Sequence, residues 1–244
     1  MKKILFALAL AMSLAAAPAF AASQATVTGV VEATSDGLYR GKSFTNDKPA
    51  VTLGLRADDV LVDGVFVQAT GTTIDVGNLD RDGRLRTEYV VGYGRAFGDL
   101  SLVGSVARVQ NPVIYAQDYT EARLDAAYAL TQKLAVTGQY AQILTDAVGQ
   151  DRYASLGLEY RGLFVPELTV GGLASYQSYK KSDRSEFNNA ELFVTYALSK
   201  NVEAFGKYSW GGKSITHATD AFSFLDYRAS DLKDQGQVGL RVRF

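Results

Sequence analysis

The one histidine of the chain, His217, sits beside Ser214, Thr216 and Thr219, the residue types a hydrolase would need for a nucleophile and its base. A base must be held by packed neighbours to act, and a histidine within a long connecting segment is more often simply solvated. No Gly-x-Ser-x-Gly elbow, His-Glu-x-x-His helix or Cys/His metal cluster accompanies it. Asp58-Asp59 is a pair of acids, but in a turn, where aspartate is ordinary turn chemistry. No catalytic residue, metal ligand or cofactor is expected. The net charge of −1 provides no basic surface for nucleic acid.

Charge placed at alternate positions is the stronger signal. Val238, Leu240, Val242 and Phe244 alternate with Gln237, Gly239, Arg241 and Arg243. Leu192, Val194, Tyr196 and Leu198 alternate with Glu191, Phe193, Thr195 and Ala197, and Leu156-Gly157-Leu158-Glu159-Tyr160-Arg161 has the same period. Successive side chains of a strand point to opposite faces, so each segment has one apolar and one polar face. Val103 and Val109 break the pattern, falling on the polar face of their segment.

The polar faces carry Glu32, Arg56, Arg86, Glu88, Glu121, Arg123, Asp125, Glu159, Arg161, Glu191, Glu203, Lys207, Arg241 and Arg243. An Arg or Lys facing lipid at the midplane costs roughly 2–4 kcal/mol, so these charges belong inside a barrel. There they either line a pore and set its selectivity or pair off in a nearly closed lumen. Arg56, Arg241 and Arg243 fall near one end with no acid expected beside them, Glu203 being assigned to Lys207. That spacing predicts mild anion preference.

About twelve such segments are expected. They span 24–33, 49–58, 61–71, 85–96, 99–109, 119–130, 133–143, 153–163, 167–178, 187–198, 201–210 and 235–244. The connections alternate between long and short, the short ones including Asp59-Val60, Phe97-Gly98, Thr131-Gln132 and Lys200. An up-and-down transmembrane β-barrel has this asymmetry, with short turns facing the periplasm and long loops outside. Aromatics cluster near segment ends: Tyr115, Tyr119, Tyr140, Tyr153, Tyr176 and Trp210 on the loop side, and Tyr128, Tyr160, Tyr196 and Phe244 on the turn side. These suit two interfacial girdles. The longest connection, 211–234, contains Phe222-Ser223-Phe224-Leu225-Asp226-Tyr227, an apolar cluster that either narrows the mouth or packs on another loop.

Export is legible at the front. Lys2 and Lys3, the apolar run Ile4–Ala17 and Ala19-Phe20-Ala21 form a signal peptide over 1–21, leaving 22–244 as one barrel domain. The absence of Cys and the abundance of Gly (23), Tyr (14) and Phe (12) against 4 Pro suit strands joined by turns.

The end of the chain resembles the terminal signature of bacterial outer-membrane proteins: alternate apolar residues Val238, Leu240 and Val242, then a final aromatic, Phe244. The resemblance implies recognition by the barrel assembly machinery. Leu38-Tyr39-Arg40-Gly41-Lys42-Ser43, followed by Asn46-Asp47-Lys48-Pro49-Ala50, is similar to the opening of the TorF-type porins of proteobacteria. That likeness implies a Gram-negative outer membrane, surrounding lipids and passage of small hydrophilic solutes. A closed structural or adhesive barrel displaying its loops, and an outer-membrane lipid-modifying enzyme, are the alternatives.

Overall fold

The computed structural model describes residues 25–45, 47–74, 85–110, 118–145, 152–178, 187–211 and 234–244. The predicted signal peptide, Tyr115, His217 and most of the longest connection lie outside these residues. Twelve strands form a closed antiparallel barrel. They are β1 (Thr26–Thr34), β4 (Ala50–Asp58), β5 (Val65–Thr73), β6 (Leu85–Phe97), β7 (Leu100–Gln110), β8 (Tyr119–Ala129), β9 (Leu134–Ile143), β10 (Arg152–Arg161), β11 (Leu168–Ser178), β12 (Phe187–Ala197), β13 (Val202–Gly211) and β14 (Gln235–Arg243). Each pairs with its neighbours in sequence, and β1 closes the ring between β4 and β14. The all-β reading and the strand count are borne out. The described residues contain no helix.

Two differences matter. The turn after β4 is not Asp59-Val60 but 59–64, so the next strand starts at Val65 rather than near 61. Asp59, Leu61 and Gly64 take positive φ there, and the Gly64 amide donates to the Asp59 carboxylate at 2.8 Å. The aspartate thereby closes a longer loop on itself, which an alternation count cannot detect. The connection after β1 also contains a second, two-stranded sheet: β2 (Leu38–Tyr39) and β3 (Lys42–Ser43).

The two faces of the wall have opposite chemistry. Leu124, Leu156, Leu158, Leu192, Val238 and Leu240 are each more than half exposed and all point outward. So large an exposed apolar belt has no place in water and fits a lipid environment. Tyr140, Tyr176 and Trp210 edge the belt on the loop side, and Tyr128, Tyr160, Tyr196 and Phe244 on the turn side. Tyr119 and Tyr153 are not in that girdle: each shares its face with inward residues, Glu121 for the first and Ser155 for the second, and Tyr153 is buried. Val103 and Val109 also face inward. Val103 packs against Phe66, Val90 and Ala107, an apolar cluster filling the β5–β7 side of the interior, and Val109 is fully buried. Their departure from the polar pattern is therefore packing inside the barrel.

At the seam, the Gly29 amide donates to the Phe244 carbonyl at 2.7 Å, and the Phe244 amide donates to the Gly29 carbonyl at 3.0 Å. The Phe244 ring lies across Gly29, where a Cβ would come within 2.4 Å of it. The terminal aromatic thus closes the ring of strands over a residue with no side chain.

Candidate functional site in the barrel lumen

The strand period turns the charged residues inward, and the stagger between strands decides which of them meet. On the wall formed by β6, β7 and β8, a ladder of alternating charge runs across the lumen. Arg86 donates to Glu88 at 3.1 Å, and Arg123 donates to Glu88 at 2.8 Å and to Glu121 at 2.6 Å. Glu121 is only 1% exposed and accepts two further bonds of 2.8 Å from Arg40. Two carboxylates are shared among three guanidiniums; Arg40 on Glu121 and Arg123 on Glu88 bind through two-point contacts that favour arginine over lysine, and Arg86 adds a single bond. Removing one partner from a buried pair of this kind costs about 3–5 kcal/mol, because the remaining charge stays desolvated.

Arg40 comes from the β2–β3 hairpin. Its two-residue turn, Arg40 and Gly41, has φ of 51° and 75°, the left-handed pair required by a tight hairpin. Gly41 accepts this conformation without steric cost, and it also leaves room for Asn189, whose side chain a Cβ there would meet at 2.6 Å. The Arg40 guanidinium lies 4.2 Å from the centre of the Tyr153 ring and 5.0 Å from that of Tyr39, while Arg86 covers Tyr39 at 4.5 Å. Burial pushes the Tyr39 phenol well above its ordinary value, so it stays neutral.

The base of the hairpin is equally tied. Asp36 accepts from Ser43 at 2.6 Å and from Thr45 at 2.7 Å, and its carbonyl accepts from the Gln237 amide of β14. The Gly37 amide donates to the Thr45 hydroxyl at 2.8 Å. The Tyr-Arg-Gly segment therefore folds into the lumen. Periodicity could not identify Tyr39 and Arg40 as lumen residues because they lie outside every strand of the barrel. Gly41, the residue type that takes a left-handed turn without steric cost, was the available signal.

Other expected lumen residues are distributed along the wall. Glu191 faces Lys207 at 3.5 Å and accepts from Ser209 at 3.1 Å. Asp125 accepts from Gln139 at 2.5 Å. Glu159 and Arg161 pair at 2.6 Å, with Arg161 largely exposed at the turn end. Arg56 pairs with Asp58 at 2.7 Å and lies 3.7 Å from the Phe66 ring centre.

The expectation of uncompensated arginines at the turn end is overturned. Arg241 bonds Glu32 at 2.7 Å and Glu203 at 2.5 Å, and Arg243 bonds Glu203 at 2.6 Å. The stagger of β1 against β14 places Glu32 directly opposite Arg241, not at the far end of the lumen. Glu203 lies opposite Arg241 on β13, so it serves these arginines rather than Lys207. Val238, Leu240, Val242 and Phe244 all lie on the outward face of β14 and its end, as their period predicts.

Space remains along the wall from β7 to β13. A cavity of about 260 Å³ on the loop side is bounded by Tyr39, Arg40, Arg123, Asn189, Glu191 and Lys207 among others. A second, of about 390 Å³, is bounded by Ser101, Asp125, Thr137 and Ser155. Both touch Gln139, Tyr153 and Leu173, so these three side chains form the boundary between them. Among the described residues, no group of three His, Cys, Asp or Glu could hold a metal ion.

No family model and no curated protein matches the chain. Solved structures do match in fold. The KdgM porin superposes with a TM-score of 0.61 at 11% identity, covering 89% of this chain and 99% of that one. The same porin in complex with disordered oligogalacturonate gives 0.59 at 11% identity, with 90% and 99% covered. The NanC porin gives 0.57 at 8% identity, again with 90% and 99% covered. At such identities the likeness establishes a shared barrel architecture.

Proposed function

We propose that the chain is an outer-membrane channel of the TorF-type porin kind, through which small hydrophilic solutes diffuse without chemistry. Residues 1–21 direct export in this reading, and the outward terminal residues Val238 to Phe244 are read by the barrel assembly machinery. The observation that carries the proposal is the inside-out distribution of the wall, with an apolar belt outside and charged side chains around adjoining cavities inside. The porins that share the architecture agree with it in kind, one of them solved with an oligogalacturonate. The solute of this chain is then selected by lumen size and by the arrangement of its paired charges.

A closed barrel serving structure or adhesion is the second reading, favoured by the buried ion-pair ladder and the hairpin that crosses the lumen. Conductance of purified, refolded protein in a planar bilayer separates the two. Discrete steps of current support the channel, and a folded, inserted protein that passes no current refutes it. Turnover of phospholipid or lipid A by the same preparation would instead support a lipid-modifying enzyme.

A further inference from the structure

We infer that the β2–β3 hairpin is the size-limiting constriction of the lumen and that Arg40, held by Glu121, is the residue that keeps it there. This rests on the channel reading above. The hairpin is rooted between β1 and β4, yet its tip meets the far side of the barrel. Tyr39 lies under Arg86 of β6, Arg40 is clamped by Glu121 of β8 and covers Tyr153 of β10, and Gly41 sits on Asn189 of β12. An element that starts on one wall and touches four strands across the ring must narrow any passage through it. The space left beside it is the cavity of about 260 Å³.

The tip is fixed at both ends. The Asp36 cluster holds its base, and the two-point bond to Glu121 holds its tip. Each charge at the tip has a partner of opposite sign close by: Arg40, Arg86 and Arg123 alternate with Glu88 and Glu121. The alternation shortens the reach of these fields, but three guanidiniums against two carboxylates leave one positive charge in excess. The hairpin therefore discriminates first by size, and the solutes it favours are small polar molecules, neutral or anionic rather than cationic.

The test uses the full chain in planar bilayers and in liposomes challenged with sugars of increasing size. Arg40→Ala removes the tether, and Glu121→Gln weakens it while preserving side-chain shape. Both are expected to raise single-channel conductance and admit larger sugars, with heat-shifted gel mobility confirming that the barrel is folded. The chain has no cysteine, so the tip can be tied back by a new disulfide. Gly41→Cys with Asn189→Cys places a sulfur where a Cβ at 41 already approaches the Asn189 side chain, within reach of a bridge; because φ of 75° at position 41 strains a cysteine, the reduced pair with Arg40 intact serves as the control and must conduct as wild type. In the Arg40→Ala background, oxidation should return conductance and sugar cut-off towards wild type, and reduction should raise both again. A purely structural role for Arg40 would not respond to that cycle. A folded wild type without current beside a conducting Arg40→Ala would make the hairpin a plug, and overturns both the size-limiting role and the channel reading. If the wild type conducts and neither single variant changes conductance or cut-off, the inference fails while the channel reading stands. If no form conducts, both fail.

Discussion

A single arginine placed on either face of β10 measures the inside-out wall directly. β10 has ten residues; at a rise of ~3.3 Å each and a tilt of ~40°, it spans ~25 Å along the barrel axis, the height of a typical apolar belt. Leu156 is the fifth of them, is 65% exposed and points outward, so Leu156→Arg puts a guanidinium near the middle of the bilayer. The expected cost is roughly 2–4 kcal/mol. At 1.4 kcal/mol per factor of ten, this lowers the folded-to-unfolded ratio by roughly 30- to 700-fold. Ser155 is the preceding residue and faces the cavity of about 390 Å³, which Asp125 also lines. Ser155→Arg therefore meets space and an acid, and should change stability by less than about 1 kcal/mol. Urea titration of protein folded into lipid vesicles, followed by gel mobility, gives both values. Equal destabilisation, or a greater loss for Ser155→Arg, would show that the faces have been assigned the wrong way round.

Three further outcomes follow from the same geometry. Gly29→Leu should lower the yield of folded, heat-modifiable protein because its side chain displaces the Phe244 ring at the seam, and deletion of Phe244 should do the same; an unchanged yield for both would remove the ring from barrel closure. Glu203→Gln strips Arg241 and Arg243 of their shared carboxylate and should move the reversal potential in a salt gradient towards anions, most clearly at low ionic strength, whereas Arg241→Glu with Arg243→Glu should move it towards cations; potentials that stay put in both variants would exclude these residues from selectivity. Phe66→Ala empties the apolar cluster under Arg56 and should cost on the order of 3 kcal/mol in a urea titration, and a loss below about 1 kcal/mol would mean that this side of the lumen is hydrated.

Much of the fold was legible because a strand encodes its two faces locally. The alternation at Leu192–Leu198 and Val238–Phe244 depends only on the geometry of neighbouring residues, so it located most strands to within a residue or two. It failed where a side chain closed a loop on itself, as Asp59 does, and where an inward residue was apolar for packing, as Val103 is. Inward facing was equally legible for Arg86, Glu88, Arg123, Glu191 and Lys207. Partnership was not. Glu32 meets Arg241 because of the stagger with which the ring closes, a property of all twelve strands together and of no single segment. Arg40 meets Glu121 across 81 residues because a hairpin whose base is tied through Asp36 to Gln237 of β14 lies inside the lumen rather than out in solvent. Local periodicity thus determined which face each residue occupies, and tertiary closure decided which charges neutralise one another and which segment crosses the lumen.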